Sequence, residues 1–208
     1  MFQITNIKDY IKNNRFIYFG VLILYTLGFI IGGVYSNFIS DSTFIQSLES
    51  TKEFFKGVMI SQDAINLREL IIGDITPFVV VSLCGILLAG LPFTLYFVFK
   101  SGFSLGFYIS FLINAFSLKG FYLGMFYLVM NLAIVLPALT TIAVSSLDLN
   151  LYILASVNKN RPAQRSFAGL IVAYAFMVIA GLVLTVLSTN LKALLLPDII
   201  KFLFSSVL

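Results

Sequence analysis

From residue 75 to residue 147 only two side chains carry a charge, Lys100 and Lys119. No other feature of the chain narrows its fold so far. A soluble element of this length needs a polar face, and none is present. A charged side chain at the middle of a bilayer costs about 2.5–3.5 kcal/mol on insertion scales. A stretch this poor in charge therefore suits lipid. The two lysines divide it into apolar pieces at 75–99, 101–118 and 120–147. Each is near the roughly 20 residues that a helix needs to cross about 30 Å of hydrocarbon. The mean hydropathy of +1.02 agrees.

Two more spans flank this block. Residues 16–36 are uncharged and follow a basic head with Lys8, Lys12 and Arg15. A cleaved signal peptide is the alternative there. The apolar run is longer than a signal core, however, and no small-x-small cleavage site closes it. Residues 167–188 form the last span, preceded by Arg161 and Arg165. The tail, 189–208, is apolar but holds Pro197, Asp198 and Lys201. That composition predicts an interfacial helix, with a sixth crossing as the other reading.

The expected fold is therefore all-α: one polytopic transmembrane helical bundle with five spans. The positive-inside rule sets its direction. The head and the loop 148–166, with Lys159, Arg161 and Arg165, carry the basic excess. They fall on the cytoplasmic side, which makes the N-terminus inside and the C-terminus outside. Residues 37–74 and the tail then face outward. Lys100 falls at the inner surface and Lys119 at the outer. Span 101–118 is short, so a re-entrant pair is the alternative for it, unless the bilayer thins or the lysines snorkel. In the outward segment Phe44, Leu48, Thr51, Phe55, Val58 and Ile65 share one helical face. Glu49 with Lys52, and Glu53 with Lys56, lie three apart on the other. This predicts an amphipathic helix or helical pair.

Within the spans the informative residues are small or polar. Gly28/Gly32, Gly102/Gly106 and Gly120/Gly124 are glycine pairs four apart. Such pairs let helix backbones approach closely in lipid, and three of them suit self-association into a homo-oligomer. Gly102, Gly106, Ser110 and Asn114 extend one stripe. Gly124, Asn131, Ala138 and Ser145 extend another. Asn114 and Asn131 are each expected to hydrogen-bond to a neighbouring helix. Pro92 and Pro137 are expected to kink or open the second and fourth spans. Tight packing explains these seams, and a lined path for a polar solute or a lipid is the second reading.

The catalytic inventory is short. The chain has no histidine, which removes a Ser-His pair and the usual zinc ligands. No acid lies within the expected spans, so an intramembrane aspartyl mechanism or a proton relay has no carrier. No Walker A pattern occurs. The single cysteine, Cys84, cannot form an intrachain disulfide. No catalytic residue, cofactor or metal ligand is assigned, and an enzyme is disfavoured. The net charge of +4 is scattered at span ends, which points to membrane lipid and not to nucleic acid.

The central third resembles a known family. The residues are Gly90-Leu91-Pro92, Lys100-Ser101-Gly102, Gly106-Phe107, Phe111-Leu112-Ile113-Asn114, Lys119-Gly120-Phe121, Asn131 and Pro137. In order and spacing they are similar to the stage II sporulation protein M family of endospore-forming bacteria. Many members carry Pro-His-Gly followed by Glu where this chain has Val129-Met130-Asn131. The resemblance implies a non-catalytic cell-membrane scaffold for engulfment during sporulation. Its implied partners are the peptidoglycan hydrolases known as stage II sporulation proteins D and P, held at the septum. Contacts are expected through 37–73 outside and through the Gly102/Gly106/Ser110/Asn114 face inside the bilayer. The rival reading is a permease-type subunit that needs a separate ATPase, or a lipid-handling protein.

Overall fold

A computed structural model describes residues 14–60, 67–87, 90–157 and 167–204. Lys8, Lys12, Ile65, Lys159, Arg161 and Arg165, on which parts of the sequence reading rest, lie outside the described residues. Among those described, the chain is helical throughout: α1 (Arg15–Tyr35), α2 (Asp41–Ile60), α3 (Leu67–Ile86), α4 (Gly90–Met130), α5 (Leu136–Val157) and α6 (Phe167–Phe204). A short 3-10 turn, Ser36–Phe38, follows α1, and a π turn, Asn131–Val135, links α4 to α5. Three stretches are long and apolar enough to cross a membrane: Arg15–Phe38, Gly90–Leu154 and Gly169–Phe204. A shorter apolar helix covers Gly73–Ile86.

The longest stretch is not straight. Ser117 has φ 52° and ψ −124°, outside helical space. A side chain there is strained, because this region is open mainly to glycine. The rings of Tyr108 and Tyr127 lie 4.9 Å apart. Nineteen residues of straight helix would separate them by about 28 Å at 1.5 Å per residue. The chain therefore turns back at Ser117 into a helical hairpin. Gly120 touches the backbone of Leu112, and Gly124 meets Ile109. This glycine pair thus packs the second arm of α4 closely against the first.

Cross-helix contacts fix the other directions. Tyr25 meets Gly102, Phe29 meets Gly106 and Ser36 meets Ser110, so α1 runs parallel to the first arm of α4. Val81 and Cys84 pair with Ser146 and Asn150, so α3 runs parallel to α5. Ser146 meets Tyr174 while Ile142 meets Gly181, so α6 runs against α5. α5 is the innermost helix, with Ile142, Ala143, Val144 and Ser146 fully buried. It anchors the main core together with Val21, Phe78, Val81 and Val98. A second core closes the far end. There Phe55 and Val58 of α2 pack on Leu112, Leu123, Leu196, Ile200 and Phe204. The apolar face of α2 thus covers its own bundle, while Glu49, Lys52, Glu53 and Lys56 stay exposed.

Several boundaries differ from those expected. α3 ends at Ile86 and α4 begins at Gly90, whose amide bonds Leu87, so the break does not fall at Lys100. Lys100 is consequently mid-helix in α4 and not at a helix end. The first arm of α4, from Gly90 to the Ser117 turn, is long enough to span hydrocarbon, unlike the short piece 101–118. Pro92 sits in the first turn of α4, where its missing amide breaks no helical bond, so it makes no kink. The π turn opens the helix just before Pro137, which lacks a donor. α5 continues to Val157, well into the expected loop. α6 runs through Pro197 to Phe204, so the tail is not a separate interfacial helix. Thr189, Lys192, Leu196, Ile200 and Phe204 line one face of α6 and are all buried. That packing holds the helix across the proline.

Candidate functional site

The seam predicted along α4 is filled from within the chain. A methyl group on Gly28 or Gly32 would meet the backbone of Phe99 or Phe103 closer than 3.0 Å, a separation real side chains do not show. Gly102 and Gly106 stand in the same relation to the Tyr25 and Phe29 carbonyls. The two glycine pairs therefore mesh with each other. The polar end of the stripe is matched too. The Ser36 hydroxyl donates to Ser110 at 2.5 Å, and the Asn114 amide donates to Asn37 at 3.0 Å. Asn131 behaves differently from expectation. Its amide donates to the Tyr127 carbonyl of its own helix at 3.0 Å. The widened turn that begins there makes this local bond the near one.

A second polar contact joins α3, α5 and α6. The Ser146 hydroxyl donates to the Val81 carbonyl at 3.1 Å. The Asn150 amide donates to the Cys84 carbonyl at 3.2 Å and to Ser146 at 2.9 Å. Tyr174 donates to the Ser82 carbonyl. Interhelical bonds of this kind hold helices together where apolar burial gives little drive.

The feature with chemistry in it is a cavity of about 730 Å³ lined by α1, α3, α4, α5 and α6, and by Phe54 of α2. It runs from Tyr108 to Phe97 along α4, about 16 Å at helical rise. Tyr25, Phe78, Leu105 and Leu139 supply apolar wall. Asp74, Lys100, Ser101, Ser104, Tyr108, Tyr127, Asn131 and Lys192 supply the polar one. Lys192 and Asp74 form an ion pair of 2.9 Å, with the lysine side chain only 3% exposed. Thr189 donates to the same Asp74 oxygen at 3.0 Å. Lys100 is exposed and faces the Phe97 ring at 5.7 Å. Such a volume matches the 300–1,000 Å³ typical of small-molecule sites.

Asp74 and Lys192 were missed in the sequence. By sequence Asp74 belongs to the outward segment and Lys192 to the apolar tail. A signal did exist: Lys192 is the sole charge between Arg165 and Asp198, and Asp74 opens the charge-poor run. A lone acid and a lone base bordering apolar helices have strong reason to pair. Of the residues singled out, Lys100, Ser101 and Asn131 line this cavity, while Gly28, Gly32, Gly102, Gly106, Ser110 and Asn114 form the α1–α4 joint. Among the described residues, no three His, Cys, Asp or Glu gather as metal ligands would. No family model matches the chain, and no curated protein or solved structure matches it.

Proposed function

We propose that this chain is a multi-pass membrane protein that binds a polar or amphiphilic solute inside its bundle, as a permease-type subunit or a lipid-handling protein. In this reading it crosses the bilayer five times, with α1, α3, the two arms that meet at Ser117, and α6. The Arg15 end faces the cytoplasm. It acts by binding and not by making bonds. The observation that carries the proposal is the charged cavity in an otherwise apolar bundle. Ionisable groups inside a membrane are costly, and a protein that keeps three of them around one space has a use for them there. Lys100 supports the depth. It lies about 15 Å along α4 from Gly90 and about 25 Å from Ser117, taking 1.5 Å per residue.

Ser104→Trp tests the proposal, because Ser104 lines the cavity and is exposed to it. Proteoliposomes carrying the variant, with any ATPase partner supplied, are expected to lose solute or phospholipid movement while the purified protein elutes as wild type does. Equal movement by both would remove the cavity from the mechanism.

The scaffold role implied by the family resemblance is the second reading. It is favoured by the exposed polar face of α2 at the end opposite Arg15, where Glu49, Lys52, Glu53 and Lys56 are open to a partner. Stage II sporulation proteins D and P are then expected to co-purify with the wild type, and to be lost when those four side chains are replaced by alanine. Retention of both by the quadruple variant would leave this face without a role.

A further inference from the structure

Two cations and one carboxylate line the cavity. The carboxylate is already engaged: one oxygen of Asp74 accepts from both Lys192 and Thr189. Lys100 is left with an aromatic ring and no carboxylate among the described residues. An unpaired ammonium at this depth is unfavourable, so the excess positive charge calls for a mobile anion. One helical turn on, the Ser104 hydroxyl lines the same space and can donate to an oxygen of that group, while Tyr108, two turns away, is paired with Tyr127. The apolar wall beside them suits a carbon chain.

Resting on the reading of the cavity as a binding site, we infer that its ligand is a phosphate-bearing anion, held by the Lys100 ammonium. Lysine is a point charge that suits a tetrahedral phosphate as well as any orientation demands. The Asp74–Lys192 pair forms a neutral wall of fixed polarity, and a second anion is excluded on that side by Asp74. The phosphate can belong to a lipid headgroup or to a free solute, and the two share this chemistry.

Ser104→Cys in a Cys84→Ala background, reconstituted in phosphatidylcholine nanodiscs, provides the readout. The probe is the rate of labelling by a water-soluble maleimide. Phosphatidylglycerol in the nanodisc, or inorganic phosphate in the buffer, is expected to slow it. Adding Lys100→Gln should weaken that protection about tenfold or more, as for loss of a charged hydrogen bond. Lys100→Arg should keep it. Protection by phosphatidylglycerol alone assigns the lipid source, and protection by inorganic phosphate assigns the free one; either supports the inference. Equal protection in Lys100→Gln, or no protection by either ligand in a protein that still moves solute, overturns the phosphate assignment and leaves the cavity as a site. A cysteine at 104 that neither ligand protects, in a protein that also moves no solute, overturns both.

Discussion

Asp74 and Lys192 lie 118 positions apart in the chain and 2.9 Å apart in space. Pairing spares each the full cost of an isolated charge in a low-dielectric interior, though the pair itself is not a large source of stability. Their burial is unequal, with 3% of the lysine side chain exposed against 24% of the aspartate. An unequal response to mutation follows. Asp74→Asn strands a buried ammonium and is expected to cost about 3–5 kcal/mol, the range for breaking a buried pair. Lys192→Met leaves a carboxylate that water in the cavity can reach, so its loss should be smaller. The double variant should be more stable than Asp74→Asn alone. Thermal denaturation of the detergent-purified protein, followed by size-exclusion chromatography, measures all three. Simple addition of the two single losses would show that the pair carries no coupling.

At the scale of elements, the α1–α4 joint is the most demanding contact. Two parallel helices touch backbone to backbone at four glycines, and no side chain can adapt there. Gly106→Ile must push the helices apart and is expected to cost at least about 1–3 kcal/mol, the range for overpacking. The neighbouring Ser36–Ser110 contact reports the separation, since the hydroxyls are 2.5 Å apart. Ser36→Cys with Ser110→Cys, in a Cys84→Ala background, should cross-link under mild oxidation and shift mobility on a gel. Adding Gly106→Ile should abolish the shift. A cross-link of undiminished yield would show that the glycines do not set the spacing. The hairpin at Ser117 is the other tight element. Its close approach at Gly120 explains why the arms can meet with so short a turn.

For the whole molecule the question is which ends share a compartment. α1 begins beside α5, where Ile17 and Tyr18 join the main core, whereas α6 ends at Phe204 in the opposite core with α2. An odd number of crossings would put these two regions in different compartments. Ser50 of α2 and Ser156 of α5 are both exposed and suit a test. As cysteines without Cys84, Ser50→Cys should react with an impermeant maleimide in intact cells. Ser156→Cys should react only after the membrane is opened. Labelling of both from the same side would contradict the five-crossing arrangement.

The helical, lipid-suited character of the chain was legible from the charge-poor run alone, because hydropathy and helical length are local properties. The amphipathic face of α2 was legible for the same reason, since Phe55 and Val58 follow the helical repeat. The glycine stripes were visible too, but not their partners. Nothing in Gly102 or Gly106 says that Gly28 and Gly32 of this same chain meet them, in parallel. A lone lysine in an apolar run reads as a helix boundary; Lys119 does lie beside the Ser117 turn, whereas Lys100 is mid-helix. Lys100 lines a cavity, which only the packing of the neighbouring helices makes visible. Asp74 and Lys192 make the point most plainly. Sequence shows each as one isolated charge, while their meeting depends on α3 and α6 folding side by side. Composition thus determined the solvent this chain prefers and the kind of element it builds. Tertiary structure decided which polar groups face each other, because pairing across 118 residues is a property of the packed bundle and of no local stretch within it.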